Sequence, residues 1–329
     1  MVTIADVAAM AGVSVATVSR VLNNSYIVSP EKRARVTEAI EALNYKPNVY
    51  GRNLRRTESK LILVVCSTVI EEIMNGIQDT AKDLGYDIVL NYTGSRKKSL
   101  DSIKFLQNGL VDGVIYSNLF FADEELINIS RQFPVVQCGE LLDIPNSFLV
   151  SNRDEEAAYN IVHHLISQGK KRIGLVTLSD AEASCHFSKE REKGYIRALT
   201  DFNIPYDPEL IRRGDMSFEY GLEAANYFLQ MKNRPDAIFC VQDIPAVGCI
   251  NAIKSAGVAI PDDIAVAGFD NVELAEMCDP PLTTVAQPFY EIGRETMRTL
   301  VSLIKGEITI GRHILLDSEL IIRGSTVKK

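Results

Sequence analysis

Two groups of residues in this 329-residue chain have the types and spacing to do chemistry. The first lies in the run TIADVAAMAGVSVATVSRVLN, Thr3 to Asn23. Arg20 carries a fixed fork of donors that can engage guanine O6 and N7 together, which is typically worth about 1–3 kcal/mol of base discrimination. Val15 and Ala16 beside it offer only apolar contact, for instance to a thymine methyl. The second group is polar and scattered: Ser67, Asn118, Arg153, Arg191, Asp243, Asp270 and Gln287 each follow an apolar run that reads as a strand. At the carboxyl ends of parallel strands such residues line ligand clefts, or else cap helices and bridge lobes.

The elements that must hold Arg20 are legible. Thr3 with Asp6 forms a capping box that starts a helix at Ile4, and Ile4, Val7, Ala8 and Ala11 share its inner face. Gly12 permits a tight turn, Val13 plugs a small core and Ser14 can cap a second helix. In that helix Val18, Val21 and Leu22 form the buried side, while Val15, Ala16, Thr17 and Arg20 project outward. Ser29-Pro30 announces a third helix with the core stripe Val36, Ala39, Ile40 and Leu43. The first 60 residues hold nine Lys/Arg against five Asp/Glu, a net of +4, whereas the whole chain carries −8. A basic head on an acidic body is the asymmetry expected where one end meets phosphate.

From Lys60 the pattern becomes strand, helix, strand. LILVVC (61–66) reads as a strand buried on both faces, followed by a helix over 71–84 that ends at Gly85 and by the strand YDIVLNY. A helix near 99–108 and the strands DGVIYS and PVVQC continue the series. The pattern then restarts with the helix DEEAAYNIVHHLISQG, the strand KRIGLVTL, the helix KEREKGYIRALTDF and the strand PDAIFCVQD. Two doubly wound parallel sheets in tandem predict a bilobed body with a cleft at the strand ends.

No basic-then-apolar leader and no apolar stretch of membrane length occur, so a cytoplasmic protein without a membrane partner is expected. The six cysteines show no CxxC spacing and read as reduced thiols of the core or pocket edge. His163, His164, His186 and His313 have no metal-ligand spacing, and His163 and His164 read as surface or lobe-edge residues. No metal and no cofactor are predicted. Phosphate-loop, dinucleotide, nucleophile-elbow and HExxH motifs are absent, which argues against an enzyme.

TIADVAAMAGVSVATVSRVLNN, VSPEKRARVTEAIEALNYKPN and NVYGRNLRR together closely resemble the headpiece of the lactose/galactose repressor (LacI/GalR) family. The resemblance covers residues 2–56. It implies a helix-turn-helix whose second helix docks in the major groove, and a hinge helix over 48–56 in the minor groove. The implied DNA-contacting set is Thr3, Ser14, Val15, Ala16, Thr17, Ser19, Arg20, Asn23, Tyr45, Asn48, Gly51, Leu54 and Arg55. Leu54 falls on the family's leucine wedge, which kinks the duplex at a step that unstacks cheaply, so a CG-like operator centre is expected. Gly51 stands where the family commonly has Ala. Gly costs a helix roughly 1 kcal/mol relative to Ala, which predicts a hinge that folds only on DNA.

For the body the resemblance implies a periplasmic-binding-protein-like effector domain of two lobes. The division is 1–60 for the headpiece and 61–329 for the body. The first lobe comprises about 61–168 and 290–317, the second about 169–289 and 318–329, with crossings near 168, 289 and 318. Arg191, Asp243 and Asp270 fall on effector-contacting positions of the family, and Phe218 joins the implied set. An Arg and two Asp facing one cleft suit a polyhydroxylated ligand, because carboxylates chelate vicinal hydroxyls. The segment MCDPPLTTVAQPFYEIGRETM and the pair Cys185-His186 resemble the cytidine repressor branch, implying a nucleoside effector. Two departures keep a second reading open. The loop CSTVIEEIMNGI is shorter than usual, and Arg153 stands where an effector-contacting acid is common, so a uronate or phosphosugar could pair with Arg153 and Arg191. The whole implies a homodimeric repressor on palindromic double-stranded operator DNA. Effector-driven release is preferred to co-repression, and a stand-alone sugar-binding protein is the alternative from another class.

Overall fold

Thr3 starts the first helix as the sequence predicts. Its hydroxyl accepts from the Asp6 amide, and the Asp6 carboxylate accepts from the Thr3 amide at 2.8 Å, giving α1 (Ile4–Ala11) a reciprocal cap. The computed structural model describes residues 2–22, 28–43, 45, 58–93, 105–106, 108–117, 123–140, 146–179 and 185–327. These fall into two units, Met1–Ser59 and Lys60–Lys329. In the first, Gly12 takes φ +61° at the end of α1, a conformation that costs a side-chain-bearing residue about 1–2 kcal/mol. The turn leads to α2 (Val15–Leu22), and α3 (Pro30–Ala42) closes the bundle. Val7, Ala8, Ala11, Val18, Val21, Val36 and Ala39 form its small core.

In the second unit, β1 (Leu61–Cys66) sends Ile62 and Val64 into one core and Leu63 and Val65 into another. Both faces are covered, which is why its sequence is a continuous apolar run rather than an alternating one. Next come α4 (Glu71–Leu84), β2 (Asp87–Tyr92), β3 (Gly113–Ser117), α5 (Asp123–Ser130), β4 (Val135–Cys138) and β5 (Leu149–Asn152). The chain continues as α6 (Asp154–Ser167), β6 (Ile173–Leu178), α7 (His186–Asp201), β7 (Ile211–Gly214), α8 (Phe218–Gln230), β8 (Ala237–Cys240), α9 (Asp243–Ser255) and β9 (Ala265–Ala267). It ends with α10 (Glu273–Met277), β10 (Thr284–Ala286), α11 (Phe289–Ile304), β11 (His313–Leu316) and β12 (Glu319–Ile321). One parallel sheet has the order β11-β5-β4-β3-β1-β2 and the other β7-β6-β8-β9, while β10 and β12 pair antiparallel. The helix expected near 99–108 falls largely outside the described residues.

Two expectations change. The first lobe crossing lies at Arg153, not near 168, because Ala157, Ala158, Ile161, Val162 and Leu165 of α6 belong to the second lobe's core. The chain leaves the first sheet at Asn152 and enters α6 two residues later. His164 is buried, with Nε2 2.8 Å from the Thr326 hydroxyl, so it ties α6 to the carboxyl-terminal segment rather than standing at a lobe edge. His163 is exposed and stacks on Phe202 at 5.1 Å.

Candidate functional site

On the first unit, Ala16 and Arg20 lie four residues apart on one exposed face of α2. Among the described residues Arg20 makes no side-chain hydrogen bond or ion pair, so its guanidinium is available. Ser14 and Thr3 are exposed caps, and Ser19 is half-buried. Val15 is half-buried and packs on the bundle core, a correction to its expected outward position: as the first residue of α2 it covers the core's edge. Thr17 is also half-buried, its hydroxyl 2.9 Å from that of Ser14, and Tyr45 packs against the core. Asn23, Asn48, Gly51, Leu54 and Arg55 lie outside the described residues. Arg35, not singled out from the sequence, reaches from α3 to the Ala11 and Gly12 carbonyls and holds the turn before α2. A cation at a helix carboxyl end also complements the dipole there.

The second unit places a cavity of about 220 Å³ between its lobes. Arg191 is its centre and is only 3% exposed. Its Nε donates to Asp154 at 2.7 Å, and its Nη1 donates to the Val241 carbonyl at 2.6 Å and to Asp270 at 3.2 Å. The guanidinium lies 3.6 Å from the centre of the Phe269 ring and 4.7 Å from that of Phe187. Gln287 donates to the same Asp270 oxygen at 2.6 Å. Burial alone would lower the Arg191 pKa, but Asp154 and Asp270 outweigh it and raise the value. Gly194, one turn beyond Arg191, makes the reach to Asp154 possible. A Cβ there would stand 2.2 Å from the Glu155 carbonyl, so α7 packs on α6 backbone to backbone.

Of the expected effector residues, Ser67, Arg191, Asp270 and Gln287 line this cavity. Asn118 lies outside the described residues. Asp243 does not line it. The carboxylate is 0% exposed and is occupied by the Thr284 hydroxyl at 2.6 Å and the Val272 amide at 2.9 Å. Burial, and then the charge of Asp270, push its pKa up to about 7. Its role is one turn removed: it anchors the loop in which Asp270 and Asn271 adopt φ of +115° and +56°. Such strained backbone at a ligand wall persists only when its surroundings enforce it. Phe218 packs partly buried against the second lobe's core as the first residue of α8. Arg153 turns away to Asp317 at 3.0 Å, with 52% of its side chain exposed, in a neighbouring cavity. As the residue between a strand and a helix it faces outward, while its two neighbours, Asn152 and Asp154, face the inter-lobe cavity.

Glu140, Phe187 and Phe289 complete the walls and were not expected from the sequence. Phe187 stands on the second lobe and Phe289 on the first, giving a ring on each side for an apolar ligand face. Burial pushes Glu140 up to about 7 against the hydrogen bond from the His186 amide, and burial pushes Asp270 up to about 6 against the pull of Arg191.

Residues 3–48 match the family model of bacterial regulatory proteins, lacI family, and residues 162–326 that of a periplasmic binding protein-like domain. The chain is 38% identical to the HTH-type transcriptional repressor CytR of Escherichia coli (strain K12), over 98% of this chain and 96% of that protein. The chain belongs to the lacI family. It is therefore a DNA-binding transcriptional repressor with an effector domain and not an enzyme, and the reading as a stand-alone sugar-binding protein falls. The lac repressor dimer bound to operator and the anti-inducer ONPF is similar at TM-score 0.87 and 29% identity, over 99% of both chains. The transcriptional regulator CelR–cellobiose complex is similar at TM-score 0.75 and 30% identity, over 99% of this chain and 100% of the other.

Proposed function

We propose that this repressor binds palindromic operator DNA as a homodimer and is released by a neutral polyhydroxylated effector, a nucleoside or sugar, in the inter-lobe cavity. The observation that carries the effector class is the pairing of Arg191 with both Asp154 and Asp270. An anionic ligand would find that cation already neutralised and a third acid, Glu140, beside it. With Arg153 bound to Asp317 instead, the uronate or phosphosugar reading loses its second cation. Hydroxyls, by contrast, can donate to the carboxylates at about 1.5–3 kcal/mol for each charge-assisted bond. The similarity to a cellobiose-bound regulator supports a neutral ligand. The similarity to an operator-bound lac repressor dimer supports the paired headpieces, with Arg20 and Ala16 as the exposed readers and Leu54 as the wedge.

A thermal-shift screen of the full chain tests the effector class. Nucleosides or neutral sugars raise the midpoint, and uronates and phosphosugars leave it unchanged. A phosphosugar hit without a neutral one overturns the reading. Repeating a hit with operator DNA gives the sign of coupling, since an effector acts only through its differential affinity for two states.

A further inference from the structure

Glu140 belongs to the first lobe, one residue past Gly139 at the end of β4, where the Ser151 hydroxyl holds the Gly139 carbonyl at 2.6 Å. Its carboxylate does not stay there. It accepts from the His186 amide at 2.5 Å and is also faced by the Phe187 amide, and these are the first two residues of α7 in the second lobe. The bond joins the two lobes away from the crossing at Arg153, between residues 46 apart in sequence. No side chain of α7 caps its amino end, so the acid from the opposite lobe supplies that cap. Glu140 is 8% exposed, and the charged groups nearest it in the cavity are Asp154 and Arg191. The capped helix is the one that carries Arg191 one and a half turns on.

We propose that Glu140 is a positioning residue that clasps the Arg191-bearing helix across the cleft, so that lobe closure and the placing of Arg191 are one event. The clasp forms only when the lobes are together, because its acceptor and donor stand on different sheets. A carboxylate at a helix amino end can open and close without unfolding either lobe, since both partners return to water when apart. An effector that bridges the lobes therefore stabilises a contact the protein already makes. A ligand too large for the cavity breaks it.

Cys185 reports the clasp directly. It precedes His186, lines the cavity from the edge of the second lobe's core and is 5% exposed, whereas Cys138 and Cys240 are 0% exposed in the cores of the two lobes. Maleimide labelling of the full-length protein without effector, mapped by peptide mass, compares wild type with Glu140→Ala and His186→Pro. Proline removes the His186 amide and leaves that of Phe187, at a first-helical position where it is tolerated, and Cys185 already has the extended backbone a following proline needs. Glu140→Ala is expected to label Cys185 about tenfold faster by local opening and His186→Pro by a smaller factor, with Cys138 and Cys240 still protected. Wild-type labelling of Cys185 in Glu140→Ala overturns the clasp. So does labelling of Cys138 and Cys240 in step with Cys185 in both variants, which would mark general loosening. The inference rests on the cavity being the effector site only for its purpose. The test contains no effector, so its failure and a failure of the effector screen are separate results.

Discussion

Two arginines of this repressor face opposite tasks. Arg20 is exposed on α2 and free of side-chain partners among the described residues. Arg191 is 3% exposed and fully engaged. The duplex brings its own dense array of phosphates and acceptors, so a reader of DNA needs a cation held out and unspent. The neutral ligand proposed for the cavity would bring no counter-charge. A cation buried beside it must be neutralised by the protein, or its desolvation would cost more than binding returns. The same residue type is thus an open probe in one unit and a scaffold for two carboxylates in the other.

Breaking the buried arginine has the larger expected effect. Arg191→Ala strands Asp154 and Asp270 inside the protein, a loss on the order of 3–5 kcal/mol. Chemical unfolding of the body should show it, together with the disappearance of effector binding. Unchanged stability would mean that the carboxylates are not charged there. Arg20→Ala leaves folding untouched and costs about 1–3 kcal/mol of discrimination at one position of each half-site. Binding to operator variants checks this, and a uniform loss across all sequences would make Arg20 a phosphate contact.

Two smaller effects sharpen the contrast. Gly194→Ala forces α7 away from the Glu155 carbonyl, an overpacking cost of about 1–3 kcal/mol, and should weaken effector binding while leaving operator affinity without effector intact. Equal binding by the variant would show that the Asp154–Arg191 contact tolerates the displacement. Asp270→Asn tests the linkage. Burial raises the folded pKa of Asp270 to about 6, so its proton is held more tightly in the folded state. That contribution is full below the unfolded value of ~4 and is lost as pH rises through about 6. The melting temperature without effector should fall over that window in the wild type and fall less in the variant. Identical pH profiles would remove Asp270 from the list of raised acids.

Much of this was readable in the residues. The capping box at Thr3, the turn at Gly12 and the stripe Val36-Ala39 were legible because a small helical bundle is built from local signals, each within four residues of its partner. The doubly wound sheets were legible because strands buried on both faces are apolar throughout, as in LILVVC. The cavity was half legible. Arg191, Asp270 and Gln287 were expected there, but Asp243 was credited with a contact it makes only through a loop. Arg153 was credited with a place its neighbours occupy. Alternation at a strand-to-helix junction depends on where the strand stops, and a one-residue shift exchanges the inward and outward sides.

The sequence by itself determined the reader: a basic head, a short second helix with Arg20 and Ala16 outward, and a chain long enough for a separate bilobed body. Only the tertiary structure decided how the buried charges of that body are balanced. Asp154, Arg191 and Asp270 meet across 37 and 79 residues, and Glu140 reaches α7 across 46. Local patterns encode helices and turns because their partners are neighbours in the chain. A buried charge is balanced by whatever the fold brings beside it, and no spacing in the sequence records that meeting.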